Sequence, residues 1–488
     1  MANSDYINGL KAKRLCHRCV GEECLKNEVR SKGRRRKCSY CGESARSYLL
    51  EDIAKRIETA FDLHFSRTSD QPTPWQYSML SDRESDYEWD RDGEPVVWAI
   101  ANAAEISEQV AQDIQALLDD KHGDFETAAM NEETEFCSGS YYEEKVPNDH
   151  GWQEEWHNFE RSLKTEARFF SRNAAAYLAS VFKGIDKMST PEGKLLVVDA
   201  GPKTALTAVF RARVFQSDEK LQEALCRPDL HLGSPPAVFA VAGRMNARGI
   251  SVFYGANDPE VAIAEVRPPV GSQVMLARFD IVRPLRLLDL TALSAVTEKG
   301  SVFDSSWAAR LERATFLRSL SQRITKPVMP DDEAFEYLPT QVIADFLATE
   351  NEPVLDGILF PSAQAAGEGL NVVLFRKASR VEAMEIPEGT EIEAKLGDWS
   401  EDGWEVSYSV REQVPPKEPS KEKNEEGQWA GLLEFASRAW HSHDEDIRDA
   451  TLRVDLESVK VNVVRKVEFR CEEHRVWRHR GEKIDIKF

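Results

Sequence analysis

One short stretch of the chain, residues 238–268, contains three residue types that could act on an anionic substrate. Arg244, Tyr254 and Glu265 follow one another at intervals of ten and eleven residues. An arginine can hold phosphate groups, a tyrosine can stack on an aromatic ring, and a glutamate can act as a base or stabilise positive charge. The same types also occur as a solvated ion pair beside a core aromatic residue. From the residues alone, both interpretations stand.

Short, rigid elements must position these side chains. The apolar run Ala237–Ala242 predicts a buried strand, and Ile250–Tyr254 predicts a second strand. Asp258 is a good helix N-cap and Pro259 suits the first helical position. We therefore expect a short helix that carries Glu265 near its end.

The region around this stretch mixes strands with helices. Its patterns predict strands at about 207–214, 274–279, 285–290, 356–362 and 371–375, and helices at about 307–324 and 337–346. Such a mixture indicates an α+β fold.

Two Cys-x-x-Cys pairs near the N-terminus, with eighteen residues between them, have the spacing of a zinc knuckle: Cys16, Cys19, Cys38 and Cys41. Four thiolates at this spacing are typical of a structural zinc site. The metal would replace the core that so short a segment cannot build. A redox role is the alternative, and the presence of two pairs argues against it. Cys24 and His17 rank lower as ligands.

A basic run, residues 32–37, lies between the two cysteine pairs. We favour its interpretation as a solvated loop. Contact with nucleic acid or another polyanion is the alternative. Because no aromatic residues are interleaved with the charges, specific recognition of single strands is not expected.

The following region, residues 46–190, shows apolar residues at helical spacing in three stretches: about 48–65, 95–118 and 152–182. They predict a small α-helical bundle. In outline the bundle resembles the HEPN family of helical nucleases, whose activity needs an Arg followed four to six residues later by a His. No such pair occurs between residues 46 and 190, and Arg438 and His443, which have that spacing, lie far outside. A sensor or interaction role therefore fits better than RNase activity.

Length and charge limit the classes of function. A chain of 488 residues should hold two to four domains. Its formal net charge of −21 argues against a general binder of nucleic acid or anionic membranes. No apolar run reaches eighteen residues and the N-terminus lacks a signal-peptide core, so we expect a cytoplasmic protein with no membrane partner.

Residues about 205–378 resemble the RES domain, named for an arginine, a glutamate and a serine. Its five motifs appear here in order: Gly243-Arg244-Met245-Asn246, Phe253-Tyr254, Ala264-Glu265, Asp356-Gly357-Ile358 to Ser362, and Asn371 to Phe375. One departure is Met245, where many members have Trp. The cysteine pairs and helices before this region resemble the N-terminal extension of longer RES proteins.

The resemblance implies an enzyme that consumes NAD. RES toxins cleave the bond between nicotinamide and ribose by hydrolysis or phosphorolysis, on a scaffold like that of ADP-ribosyltransferases. Many are paired with an antitoxin, so a toxin or antiviral defence effector with an antitoxin or activating partner is expected. NAD would be the substrate and zinc a structural cofactor.

The resemblance also implies roles for individual residues. Glu265 would stabilise the positive charge of the transition state, and Tyr254 would stack on the nicotinamide or its ribose. Arg244 would hold the pyrophosphate, and Ser362 would hydrogen-bond a ribose or the carboxamide without acting as a nucleophile. These four form the predicted catalytic set.

Four more residues form the predicted substrate-binding set. Arg211 would also hold the pyrophosphate, but the assignment could slip to Arg213, since both lie on one face of the strand. Asn246 belongs to the first motif. Asn371 is included, although a role in capping its strand or fixing a loop is favoured over a catalytic one.

These interpretations divide the chain into four predicted domains: a zinc knuckle module at 1–45, a HEPN-like helical domain at 46–190, a RES catalytic domain at 191–385, and a β-rich C-terminal region with a linker at 386–488. Two other functions remain open, an ADP-ribosyltransferase that modifies a macromolecule and a non-catalytic nucleic-acid or protein interaction protein. Homo-oligomerisation also stays open.

Overall fold

The structure is a computed structural model that describes residues 2–82, 85–123, 133–166, 171–365, 369–401, 403–416, 446–468 and 471–480. The chain divides into two compact units. Unit 1 comprises 1–177, 187–196 and 292–323, and unit 2 comprises 178–186, 197–291 and 324–488.

Unit 1 begins with the segment predicted as a zinc knuckle module, residues 1–45, which we call the cysteine-rich module. It continues into helices. Its helices are α1 (Ala2–Ala12), α2 (Glu23–Lys32), α3 (Leu50–His64), α4 (Pro74–Ser81), α5 (Val96–Ala104), α6 (Glu108–His122) and α7 (His150–Thr165). Strands β1 (Arg14–Cys16), β2 (Arg34–Lys37) and β3 (Ser44–Leu49) form an antiparallel sheet in the order β1-β3-β2. Strands β4 (Phe65–Arg67), β5 (Glu94–Pro95) and β6 (Tyr141–Glu144) form a second sheet in the order β4-β6-β5.

The cysteine-rich module and the helices of unit 1 share one hydrophobic core. Buried residues of the module, such as Leu15 and Leu25, belong to the same cluster as Ile53 and Ile57 of α3 and Ile114 of α6. The predicted border at residue 45/46 therefore falls inside strand β3 and inside a common core.

Two predicted helices of this unit are each divided in two. The stretch 95–118 is α5 followed by α6, because Glu105 takes a left-handed conformation with φ of 49°. The stretch 152–182 is α7 followed by α8 (Arg172–Phe182). Phe169 and Phe170, which we expected on the buried face of a single helix, lie outside the described residues.

Unit 2 is built on a mixed eight-stranded sheet. The strands are β7 (Val197–Ala200), β8 (Ala208–Phe215), β9 (Phe253–Ala256), β10 (Gln273–Ile281), β11 (Leu285–Asp289), β12 (Gly357–Pro361), β13 (Leu370–Leu374) and, after a hairpin of β14 (Glu391–Ser400) and β15 (Gly403–Gln413), β16 (Leu452–Val463). Their order in the sheet is β16-β10-β8-β9-β13-β12-β11-β7. Only the β11–β12 pair is parallel among the described pairs of this sheet.

Helices of unit 2 cover this sheet and carry the site. They are α9 (Asp218–Cys226), α10 (Pro228–His231), α11 (Pro259–Glu265), α14 (Glu333–Glu336) and α15 (Leu338–Thr349). The borders of the units fall within α8 and within two more helices, α12 (Leu290–Leu293) and α13 (Trp307–Thr325). The predicted α+β class is confirmed by this mixture of a large mixed sheet and helices.

The strand predicted at Ala237–Ala242 is wrong. This segment contains a 3₁₀ turn at Ala237–Phe239, and Val238, Phe239 and Val241 are 84%, 74% and 75% exposed. A continuous apolar run does not by itself distinguish a buried strand from an exposed loop. The strand predicted at Ile250–Tyr254 lies at Phe253–Ala256 and therefore begins and ends later than expected.

The C-terminal stretch 448–488 alternates apolar and polar residues, which is typical of β-structure. Its described residues contain one long strand, β16, which pairs antiparallel with β10 at the edge of the large sheet. Leu452 and Val454 of β16 are buried in the core of unit 2. The predicted C-terminal region 386–488 thus supplies a strand to the fold predicted at 191–385.

Within the described part of the chain, no helix combines the length and the apolar character needed to cross a bilayer.

Candidate active site

Glu265 is the last residue of the short helix α11. Asp258 caps this helix, since its Oδ1 accepts hydrogen bonds from the backbone N–H of Glu260 at 2.8 Å and of Val261 at 3.4 Å. Pro259 occupies the first helical turn, as predicted. The helix packs on strands β8, β9, β10 and β13 of the sheet. The cap and the packing of this helix therefore fix the position of Glu265 relative to the sheet.

Two side chains from another part of the fold bind the Glu265 carboxylate. Ser362 Oγ donates to Glu265 Oε1 at 2.5 Å, and Asn371 Nδ2 donates to the same oxygen at 2.8 Å. Ser362 and Asn371 are 2% and 7% exposed. Both bonds are made to Oε1, and Oε2 makes no hydrogen bond with a described residue, while Glu265 as a whole lines the cavity.

Ser362 lies directly after strand β12, and its hydroxyl group is held in one orientation. Ser362 Oγ accepts hydrogen bonds from the backbone N–H of Gln364 at 3.2 Å and of Ala365 at 3.1 Å. With its lone pairs engaged, the hydroxyl directs its proton to Glu265. In this structure the Ser362 hydroxyl positions the glutamate, and its bond to a ribose or the carboxamide stays a prediction.

The Tyr254 hydroxyl is occupied within the protein. It donates to Asn246 Oδ1 at 2.8 Å and accepts from the backbone N–H of Met245 at 3.1 Å. Burial raises the pKa of Tyr254 to about 12, because the phenolate would lose its hydration. The residue lines the cavity, while its hydroxyl holds the loop.

Asn246 fixes the turn that carries Arg244. Its Nδ2 contacts three backbone oxygens, those of Val241 at 2.9 Å, Ala247 at 3.1 Å and Ile250 at 3.0 Å. It is 3% exposed and is absent from the cavity wall. The structure thus does not bring this predicted substrate-binding residue to the site.

The Arg244 guanidinium stands at the cavity wall. Its Nη1 donates to the backbone oxygen of Ile324 at 2.6 Å, and its Cζ lies 5.1 Å from the ring centre of Tyr337. Helix α15 holds the backbone of the turn, since Thr340 Oγ1 donates to the Arg244 carbonyl at 2.6 Å and Gln341 Nε2 to the Gly243 carbonyl at 2.8 Å. These contacts therefore fix the Arg244 guanidinium at the cavity wall before any substrate binds.

Arg211 and Arg213, adjacent on one face of β8, have different surroundings. Arg211 lines the cavity, with its Cζ 4.7 Å from the Phe253 ring centre, and its Nη1 is buried with no hydrogen-bond partner among the described residues. Burial, with a smaller effect of Arg213, lowers the pKa of Arg211 to about 10, so the group is charged at neutral pH. Arg213 is exposed, and its Nη1 donates to the His231 carbonyl at 2.9 Å.

These residues surround a cavity of about 520 Å³ in unit 2. Five of the eight predicted residues line it: Arg211, Arg244, Tyr254, Glu265 and Asn371. A cavity of this size with a few polar groups is suited to a small molecule. Three arginines, with Arg267 as the third, face two glutamates, Glu265 and Glu333, so its wall favours an anion.

The sequence analysis missed several residues of the cavity. Arg267 follows Glu265 by two positions and has a φ of 45°, which only tertiary context supports for this residue type. When the side-chain amide of Gln364 is oriented with its oxygen toward Arg267, that oxygen accepts hydrogen bonds from Arg267 Nη2 at 3.0 Å and Nε at 3.3 Å. Tyr337 packs under Arg244. No local pattern marks these residues, because loops bring them to the site.

The four predicted metal ligands form a compact cluster in unit 1. The sulfur atoms of Cys16, Cys19, Cys38 and Cys41 all lie within 4.8 Å of one another. The Sγ–Sγ distances are 3.7 Å for Cys16–Cys19, 3.6 Å for Cys16–Cys41 and 3.9 Å for Cys19–Cys38. Four thiolates about 2.3 Å from a tetrahedral zinc ion would be about 3.8 Å apart. The cluster therefore fits the metal.

Local hydrogen bonds favour the deprotonated form of one cysteine in this cluster, Cys38. Although burial opposes ionisation of Cys38, hydrogen bonds from the backbone of Cys41 and Tyr40 lower the pKa of its thiol to about 7.

A hydrogen bond also connects the cysteine-rich module to helix α6, because the Tyr40 hydroxyl donates to Asp113 Oδ2 at 2.7 Å. Lys13 Nζ donates to the same oxygen at 2.5 Å.

Comparison with protein-family models identifies two regions of the chain. Residues 224–396 match the RES domain, and residues 31–177 match HEPN/RES N-terminal domain 1. Comparisons with curated proteins and with solved structures give no significant match. The chain therefore carries a RES domain preceded by a HEPN-like N-terminal region.

Proposed function

We propose that the protein consumes NAD by cleaving the bond between nicotinamide and ribose. One observation carries this proposal: a carboxylate, Glu265, is held by Ser362 and Asn371 at the wall of a cavity that Arg211 and Arg244 also line. The RES domain match supports NAD as the class of substrate.

The chemistry of this bond suits a fixed carboxylate. Nicotinamide in NAD is cationic and leaves as a neutral molecule, so its departure needs no general acid. The ribose passes through a transition state that resembles an oxocarbenium ion, as in glycoside hydrolysis. Glu265 would stabilise this developing positive charge and orient the attacking oxygen. Because Oε1 is held by two donors, Oε2 is the oxygen assigned to that task.

The other residues would bind and orient the dinucleotide. Arg211 has a buried nitrogen without a partner among the described residues, and Arg244 is held in place by backbone contacts, which suits both for a pyrophosphate. Tyr254 would stack on the nicotinamide or its ribose. Ser362 and Asn371 would act through Glu265 as positioning residues.

The wider assignment belongs to the same proposal. We place the catalytic domain on an ADP-ribosyltransferase-like scaffold, and we propose zinc as the ion of the cysteine cluster. A toxin or defence role in the cytoplasm, controlled by an antitoxin or an activating partner, would follow from the RES relationship.

The test is NAD loss and nicotinamide release by the purified, zinc-replete protein, with and without phosphate. Glu265→Gln should lower turnover by roughly 10²- to 10⁴-fold. Glu260→Gln is the matched control, because Glu260 is exposed on the same helix. It should retain wild-type turnover. The product formed with phosphate would identify water or phosphate as the nucleophile.

Two outcomes would contradict the proposal. Folded, zinc-replete protein that leaves NAD intact would remove the assigned activity. Radiolabel from the ADP-ribose half of NAD that becomes bound to protein or nucleic acid would instead identify an ADP-ribosyltransferase.

A further inference from the structure

The basic run of the cysteine-rich module is a strand rather than the solvated loop that we favoured. Its residues Arg34, Arg35, Arg36 and Lys37 form β2, the edge strand of the β1-β3-β2 sheet, and all four are exposed. Arg30 and Lys32 of the preceding helix α2 are exposed as well. Pairing with β3 holds the backbone of these cations at fixed spacing.

The charges of β2 have no local compensation. None of its four side chains forms an ion pair with a described residue. This is unexpected in a chain with 84 acidic and 63 basic residues, because acidic partners are abundant elsewhere. The nearest pairs are flanking ones, Lys32 with Glu28 at 3.8 Å and Arg18 with Glu43. The strand therefore presents unneutralised positive charge.

Strand pairing adds a further cation to this surface. Arg35 lies opposite Arg46 of β3, and Lys37 lies opposite Ser44. Like charges directly opposite each other on a sheet destabilise it. Arg46 Nη1 donates to the backbone oxygens of Ser31 at 3.0 Å and Gly33 at 3.3 Å, which fixes its position beside Arg35. A bound polyanion would remove this repulsion.

We propose that the β2–β3 ribbon binds duplex DNA through its phosphate backbone. Lys and Arg side chains that neutralise phosphates supply sequence-independent affinity. Neither β2 nor β3 carries an exposed aromatic side chain, so stacking on the bases of a single strand is not provided. The major groove of B-form DNA admits a two-stranded ribbon, whereas the major groove of duplex RNA is too narrow.

The overall charge of −21 limits where DNA can bind. A net negative charge repels phosphates on average, so a duplex is expected to bind at a local basic surface such as the ribbon. The expectation that the protein is not a general nucleic-acid binder is compatible with one local contact.

The test is fluorescence anisotropy with a labelled 20-base-pair DNA duplex and the zinc-replete full chain over a range of salt concentrations. The variant Arg34→Gln/Arg35→Gln/Arg36→Gln/Lys37→Gln should bind at least tenfold more weakly at low salt. Its slope of log affinity against log salt should be smaller by about 2 to 4, since successive side chains of β2 point to opposite faces of the sheet.

A second quadruple variant controls for loss of net charge. Lys220→Gln/Lys395→Gln/Arg411→Gln/Lys460→Gln removes the same number of exposed cations at other places and should bind like the wild type. The single variant Arg35→Gln should lower the slope by about 1 and keeps the test valid if the quadruple variant loses zinc. Equal loss in both quadruple variants, tighter binding of duplex RNA or single strands, or no binding by the wild type would overturn the proposal.

Discussion

The Ser362 hydroxyl donates a hydrogen bond of 2.5 Å to Glu265 across 97 positions of sequence. Since the same hydroxyl accepts two backbone N–H groups, it cannot rotate freely. The serine thereby fixes the carboxylate that we assign to the reaction.

Loss of this bond should slow catalysis without abolishing it. Ser362→Ala frees Glu265 Oε1 on one side, and we expect kcat to fall by roughly 10- to 100-fold with KM changed less, because misplacement of a reacting group is costly. Steady-state kinetics of NAD cleavage would measure the changes in kcat and in KM separately. A KM effect alone would mean that Ser362 contacts the substrate instead.

Arg211 and Arg213 offer a matched pair for testing the anion site. Arg211→Gln removes a cavity-lining guanidinium and should raise KM for NAD by about 10- to 100-fold, as expected when a charge-assisted hydrogen bond is lost. Arg213→Gln should have little effect, since that side chain is exposed and bonds to the His231 carbonyl. Isothermal titration with the catalytically impaired Glu265→Gln background would measure binding directly. Equal effects would show that Arg211 has no special role.

Gly243 is required by the close approach of Tyr254. A Cβ at this position would lie 2.7 Å from the Tyr254 hydroxyl and 2.9 Å from Asn246 Oδ1. Gly243→Ala should therefore lower the free energy of unfolding by about 1–3 kcal/mol. Gly151→Ala is the control, because its Cβ would meet no atom within 4 Å. Urea denaturation of both variants would compare them.

The raised pKa of Tyr254 makes stability depend on pH at the alkaline end. Its pKa is about 12 in the folded protein, against about 10 in an unfolded chain. Above pH 10 the unfolded chain loses this proton first, so the stabilisation present below pH 10 is lost as the pH rises toward 12. Tyr254→Phe should make the fall in unfolding free energy between pH 10 and 12 shallower by up to about 1.4 kcal/mol per pH unit. Identical slopes in denaturation series would contradict this assignment.

The cysteine cluster should hold one zinc ion per chain. Cys38→Ser removes one of the four ligands and should release the metal or weaken its binding by at least tenfold, as measured by elemental analysis and a chelator competition. Cys226→Ser is the control, because Cys226 lies outside the cluster. Retention of zinc by Cys38→Ser would exclude the proposed ligand set.

Local signals in the sequence predicted the parts of the site that depend on neighbours in the chain. The Asp258 cap and Pro259 located α11, and the spacing of two Cys-x-x-Cys pairs located the cysteine cluster. The cap depends on contacts within a few residues, and the cluster depends on the fixed spacing within each cysteine pair. The family resemblance grouped Arg244, Glu265 and Ser362 with Tyr254 as one predicted catalytic set.

Long-range contacts could not be predicted in this way. The donation of Ser362 and Asn371 to Glu265 depends on the order of strands in the sheet. The run Ala237–Ala242 is as apolar as a core strand, yet much of it is exposed, because tertiary context decides which apolar segments are buried. Tyr40 binds Asp113 across 73 positions, which no periodicity reveals.

The position of β16 sets a limit on shortening the protein. The RES match ends at residue 396, whereas β10 pairs on one side with β8 and on the other with β16, residues 452–463. A chain truncated at the end of the match would leave the outer backbone groups of β10 unpaired and would uncover apolar surface beneath Leu452. Such a bare edge invites intermolecular strand pairing and aggregation. The smallest fragment that we expect to fold by itself therefore extends beyond the end of the RES match, as far as β16.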